Sequence, residues 1–289
     1  MDTPPEQPAH PHPRHGRDMN QPPTAPQPPS QLPPPHKDHY LSLPGANIMA
    51  TTALAEVQTR ITTAVRHTAM VCIHGNVGLG KTFAVHTVLR RIAPATTLRL
   101  RFRQAPNMSE IRGSLWRALN LPGEPPNHSA DTCDQKIIEA LEQEPRVLLL
   151  DEVQWLGQTA LEYFRSLWGD EEQRAAVILV GSANTRQKIL NRPALHSRIF
   201  DWYQFSPLTP NEVLATIPAY HPIWNKADPD LILYADDHCA HGSFRNWAKL
   251  TLHLKSALDD HPDHTLDKDL IRWAFSRLDP TARHVPRHG

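Results

Sequence analysis

Eight consecutive residues, Gly75-Asn76-Val77-Gly78-Leu79-Gly80-Lys81-Thr82, combine glycines at fixed offsets with an ammonium and a hydroxyl. They satisfy the pattern G-x-x-x-x-G-K-[ST] in full. Glycine lets backbone N–H groups curl around phosphate oxygens in dihedrals that other residues resist. Lys81 has the charge to neutralise terminal phosphates, and Thr82 supplies an oxygen to Mg²⁺. A helix that begins at Lys81 adds free N–H groups and the positive end of its dipole. With Phe83 continuing the segment, residues 75–83 are expected to bind ATP with Mg²⁺.

A second group lies about seventy residues on. Val147-Leu148-Leu149-Leu150 is an apolar run ending in Asp151 and Glu152. Asp151 is placed to share Mg²⁺ with Thr82, and Glu152 to polarise an attacking water. Gly181-Ser182-Ala183-Asn184 offers Ser182, then Asn184, as polar contacts for a γ-phosphate; capping of the following helix is the competing reading of Asn184. Arg198, with Arg192 as a rival, is a candidate to complete a neighbouring subunit's site. Arg245, in Gly242-Ser243-Phe244-Arg245, is a candidate to fold back on the phosphates.

These groups need a frame that brings them together. Ala69–Ile73, Thr97–Phe102, Val147–Leu150, Ala176–Val180 and Phe200–Phe205 read as strands, separated by helical patterns at residues 50–67, 81–92, 109–119, 132–142, 159–167 and 185–190. Ser109 is the expected N-cap of the 109–119 helix. Alternating strands and helices imply a five-stranded parallel sheet covered on both faces, with ligands at the carboxyl ends of the strands. Beyond Pro207 the pattern is helical only: 210–219, 229–240, 244–258 and 267–278. The expected division is a disordered Pro-rich tail at 1–40, an α/β ATP-binding domain at 41–207, a helical lid at 208–278 and a flexible end at 279–289. Residues 1–38 hold 13 prolines and few large apolar side chains, too little to offset chain entropy.

Lys and Arg number 30, as do Asp and Glu, so nucleic-acid binding would need a local patch rather than a polycationic chain. Arg99, Arg101 and Arg103 alternate along one strand and Arg112 and Arg117 follow, a candidate stripe for the DNA backbone. Cys72, Cys133 and Cys239 have no paired spacing, which fits a reducing cytoplasm. His238, Cys239 and His241 are too few to read as a metal site. No apolar run is long enough to span a bilayer.

In this order the motifs resemble the AAA+ superfamily across about residues 45–278: Walker A at Gly75–Thr82, Walker B at Val147–Glu152, sensor 1 at Ser182 or Asn184, an arginine-finger position at Arg198 and sensor 2 at Gly242–Arg245. LLLDEVQWL at 148–156, ILVGSANTRQKIL at 178–190 and ALHSRI at 194–199 are similar to the branch holding TniB-type and Mu-type transposition ATPases and ExeA-type secretion ATPases. The resemblance implies a 5-1-4-3-2 strand order, a helical lid, ATP hydrolysis and homo-oligomers. In the transposition members it further implies assembly on double-stranded DNA and recruitment of a transposase. The chain departs from ExeA-type proteins, which carry a membrane span, and from origin-recognition relatives, which carry a winged-helix domain after the lid. A nucleotide-dependent scaffold acting on protein partners without DNA is the alternative expectation.

Overall fold

The computed structural model describes residues 31–126, 129–169 and 174–278. Five parallel strands form one sheet in the order β2-β3-β4-β1-β5: β1 Met70–Gly75, β2 Thr97–Arg101, β3 Arg146–Asp151, β4 Ala175–Gly181 and β5 Ile199–Phe205. The order matches the 5-1-4-3-2 expectation. The central strands β1 and β4 are buried at every position, and apolar at all but His74, because both faces of the sheet are covered. Alternate residues part into two cores. Cys72, Leu98, Leu100, Leu148, Leu150, Val177 and Leu179 pack with α3 Met108–Ala118, α4 Ala130–Gln143 and α5 Gln158–Trp168. Val71, Ile73, Val147, Leu149, Ile178 and Val180 pack with α1 Thr52–Arg66 and α2 Lys81–Ile92. α6 Asn184–Leu190 and α7 Pro193–His196 link β4 to β5.

A third core belongs to α8 Pro210–Tyr220, α9 Pro229–Ala235, α10 Phe244–Asp260 and α11 Lys268–Leu278. Its centre is Trp224 edge-on to Trp247 at 5.1 Å. Both indole N–H groups are satisfied, Trp224 by Thr251 Oγ1 at 2.9 Å and Trp247 by Asp236 Oδ1 at 3.1 Å. α9 does not run on as α-helix to 240: it widens into a π-turn at Asp236–Ala240 and ends at His241 in the left-handed region. That turn aims Asp236 Oδ1 at the N–H of Gly242, 2.7 Å away, and so shapes the start of α10.

Local chemistry sets the helix starts. α3 is capped by Asn107, not Ser109, and Glu110 returns a bond to the Asn107 N–H, a full capping box. The acidic partner missing from a Ser109 cap is present once the cap is moved back two residues. Thr209 and Glu212 make the same box for α8, with Pro210 in the first turn.

The expected tail falls largely outside the described residues, as do the final residues 279–289. Its last ten residues, 31–40, are packed rather than loose. Gln31 Nε2 donates to Ala118 O at 2.6 Å, Leu32 is buried in the α1–α2 core, and Arg90 Nε donates to Pro33 O at 3.0 Å. Asp38 is buried, accepting from His86 Nδ1 at 2.8 Å and paired with Arg90. Farther along, Asn47 bonds Tyr220 O and Ala219 O at 2.8 Å, and His221 Nε2 bonds Pro44 O at 3.0 Å. Residues 31–49 therefore form a strap from the sheet side to the helical core. A single buried carboxylate with two cationic or polar partners holds what proline content alone would leave loose.

Candidate functional site

The strand order decides which loop tips meet. β4 lies between β1 and β3, with His74 level with Gly181 and Leu150 level with Leu179. The glycine loop after β1, the acids after β3 and Ser182 after β4 consequently share one rim. A cavity of about 230 Å³ opens there. Gly78, Gly80, Lys81, Thr82, Asp151, Glu152 and Ser182 form its polar wall, and Arg245 closes it from the helical side.

Gly78 and Gly80 sit at φ 89° and 93°, where a side chain is strained. A Cβ on Gly78 would lie 2.8 Å from Ser243 Oγ. That closeness is used: Arg245 N–H donates to Gly78 O at 3.0 Å and Ser243 Oγ at 3.3 Å, so the loop is tied to the start of α10. Lys81 is buried, its ammonium donating to Asn76 O at 2.7 Å. Burial pulls its pKa below the ordinary lysine value, opposed by Glu152 and Asp151 and assisted by Arg245, so all three charges face it.

Thr82 Oγ1 donates to Asp151 Oδ1 at 3.2 Å, and the Glu152 N–H donates to the same oxygen at 3.1 Å. A hydroxyl and a carboxylate side by side are the hard oxygen donors that Mg²⁺ takes when nucleotide phosphates complete its shell. Glu152 stands at φ 61°, ψ 41°, a left-handed conformation costing a non-glycine residue about 1 kcal/mol or more. Gln154 Nε2 donates to the Glu152 carboxylate, and Gln154 Oε1 accepts from Ser182 N–H at 2.9 Å. Gln154 thus links the acid pair to the β4 tip; it went unnoticed in the sequence because only its spatial position distinguishes it.

Not every candidate reaches the cavity. Gly75 and Asn76 precede its lining, and Val77 is largely exposed. Asn184 is exposed in the first turn of α6 and is not in the lining. Arg198 and Arg192 flank α7 ahead of β5, toward the amino edge of the sheet, and neither lines the cavity of its own chain. The arginine stripe is also thinner than its spacing implied. Arg99 turns inward to Asp151 at 3.4 Å, and Arg112 makes a two-pronged contact with Asp134, at 2.8 Å for each oxygen. Arg101, Arg103 and Arg117 remain exposed.

The other end of the cavity is one the motifs did not indicate. His39, Tyr40, Met49, Leu54, Phe83, Leu208, Tyr220, Phe244 and Ala248 line it. His39 meets Phe83 edge-on at 4.9 Å, and the Arg245 guanidinium lies 5.2 Å from the Tyr40 ring. The strap supplies His39, Tyr40 and Met49, and α1, α2, α8 and α10 supply Leu54, Phe83, Tyr220, and Phe244 with Ala248.

Residues 64–189 match the family model described as an AAA domain. A search of curated proteins finds no significant match. Among solved structures, the Aeropyrum pernix ORC2 protein in ADPNP–ADP complexes aligns at TM-score 0.61 and 17% identity, over 77% of this chain and 66% of that one. The chain has the AAA+ P-loop NTPase fold. The Aeropyrum pernix ORC1 protein in complex with DNA shares this AAA+ fold at TM-score 0.60 and 13% identity, over 82% of this chain and 67% of that one. So does the Thermotoga maritima RuvB Holliday junction branch migration motor, at 0.53 and 16%, over 78% and 69%. The chain spans about two thirds of the length of these AAA+ proteins. Among the described residues no helix is long and apolar enough to cross a membrane.

Proposed function

We propose that the chain binds and hydrolyses ATP with Mg²⁺, and that it does so as an oligomer assembled on duplex DNA, where it recruits or activates a transposase. The observation that carries the enzymatic part is the 3.2 Å contact between Thr82 Oγ1 and Asp151 Oδ1, with Lys81 and Glu152 on the same cavity. It joins the cradle and the acids at one rim, as a phosphoryl-transfer site requires.

The glycine-loop N–H groups and the start of α2 take the phosphates. Lys81 exchanges Asn76 O for phosphate oxygens, a small swing for a side chain already aimed along the loop. Thr82 and Asp151 would hold Mg²⁺, which would supply positive charge to offset that of the phosphates. Glu152, steadied by Gln154, orients the water for in-line attack. Ser182 and Arg245 contact the terminal phosphate, and Arg245 reports its presence to α10. The apolar end at His39, Tyr40, Phe83 and Phe244 takes the base. Arg198 of a neighbouring copy completes the site, which makes hydrolysis depend on assembly.

The DNA and transposition parts rest on other ground. The sequence segments at 148–156, 178–190 and 194–199 resemble the branch that holds transposition ATPases along with ExeA-type secretion ATPases, and a protein of similar fold has been solved with DNA. ATP turnover measured with and without duplex DNA, with imaging of the mixture, tests this. Stimulation together with ATP-dependent assemblies on the duplex is expected. No DNA binding at low salt, with turnover intact, would leave a scaffold ATPase acting on proteins instead.

A further inference from the structure

Arg99 lies on an edge strand, where an alternating arginine is ordinarily solvated. Its neighbours Leu98 and Leu100 go to the α3–α5 core, so Arg99 projects from the opposite face of β2. There its guanidinium meets Asp151 Oδ2 at 3.4 Å. The other carboxylate oxygen, Oδ1, is taken by Thr82 Oγ1 and the Glu152 N–H. The two oxygens of Asp151 are thereby divided between a cation and a pair of neutral donors, with the carboxylate almost fully enclosed. Arg99 Nε is buried without a hydrogen-bond partner, so no other acceptor anchors that edge of the guanidinium. Lys81, His86, Arg90 and Arg101 are the other basic groups around Asp151 and Arg99, and Asp38 is held by His86 and Arg90.

We propose that Arg99 is a positioning residue for Asp151 that sets how tightly the site takes its divalent cation. The inference rests on the ATP–Mg²⁺ reading above and goes beyond it. Arg99 holds the carboxylate in one rotamer with Oδ1 turned to Thr82. Its unit charge also cancels part of the carboxylate's pull and repels an incoming cation. The second effect outweighs the first. The cation's double charge doubles the repulsion, whereas the rotamer loses one 3.4 Å contact and keeps the two bonds that Thr82 Oγ1 and the Glu152 N–H make to Oδ1. Arg99 therefore weakens Mg²⁺ binding while keeping the carboxylate aligned for turnover.

The test uses the full chain and a fluorescent ATP analogue, titrated with Mg²⁺ and, separately, in EDTA. Arg99→Gln removes the charge and keeps a donor; Arg99→Ala removes both; Arg99→Lys keeps the charge; Arg103→Ala is the exposed control, two residues beyond the end of β2. In Arg99→Gln and Arg99→Ala the Mg²⁺ concentration for half-maximal binding should fall at least about threefold. Affinity in EDTA should stay within about twofold of wild type, and Arg99→Lys and Arg103→Ala should match wild type in both conditions. An unchanged Mg²⁺ midpoint in the two neutral variants overturns the proposal, as does a parallel loss of affinity with and without Mg²⁺, which marks a folding role. If the wild-type chain binds the analogue but shows no Mg²⁺ dependence, this proposal fails while nucleotide binding stands; if it binds no analogue at all, the underlying reading fails with it.

Discussion

Asp38→Ala removes the carboxylate that pins the strap. Asp38 has a side chain only 5% exposed, and it engages both His86 Nδ1 and Arg90. Deleting one partner of a buried pair costs about 3–5 kcal/mol, because the remaining charge stays desolvated. Arg90 is 18% exposed and keeps its bond to Pro33 O, so water relieves part of that penalty. A loss of about 2–3 kcal/mol remains. At roughly 2–4 °C per kcal/mol for a chain of this size, the midpoint of thermal unfolding should drop by about 4–12 °C. The same energy corresponds to about 30- to 150-fold faster local opening of the strap. Amide exchange reads it directly, at the Ala46 and Asn47 N–H groups that bond Leu43 O and Tyr220 O. His39 and Tyr40 follow Asp38 immediately and line the apolar end of the cavity, so ATP affinity should weaken too. A midpoint within about 1 °C of wild type, with strap exchange unchanged, would refute the reasoning and return residues 31–40 to a loose tail.

Four further outcomes follow from the site and from the arginines of the candidate stripe. Lys81→Ala should lower ATP affinity by about 30-fold or more, measured by calorimetry, yet leave the unfolding midpoint nearly unchanged, since its ammonium bonds only a loop carbonyl. Glu152→Gln should bind ATP normally and lose at least about 100-fold in turnover in a phosphate-release assay, because the amide cannot accept the water's proton. Arg112→Ala should cost about 1–3 kcal/mol in chemical denaturation, since Asp134 loses a two-pronged partner and keeps only Tyr163 OH, and should leave the salt dependence of DNA binding unchanged. Arg101→Ala and Arg103→Ala should each flatten that log–log salt slope by about 0.9 if the exposed pair meets phosphates.

Much of the architecture was legible locally. A buried strand announces itself by an unbroken apolar run, and Val147–Leu150 and Ala176–Val180 both do. The phosphate cradle was legible because its demands are met within eight residues: glycines for left-handed turns and a lysine and threonine opening a helix. Chain composition, averaged over a segment, did not show where the Pro-rich stretch ends and packing begins. Thirteen prolines spoke for a loose tail, yet one aspartate near its end finds two partners 48 and 52 residues on, and no local pattern carries that. The alternation of arginines on β2 was likewise visible, but not its use: Arg99 is turned inward by an acid on the adjacent strand.

The residues alone determined which chemistry was available: a cradle for phosphates, two acids at a strand end, and the alternating order of strands and helices that builds a parallel sheet. Only the tertiary structure decided how those parts are joined. It set Gln154 between Glu152 and Ser182, laid the strap along the apolar lining of the cavity and gave Asp151 an arginine for company. Local patterns record what each segment needs to fold, whereas contacts between segments tens of residues apart depend on the order in which strands pair, and that order leaves no periodic trace in the chain.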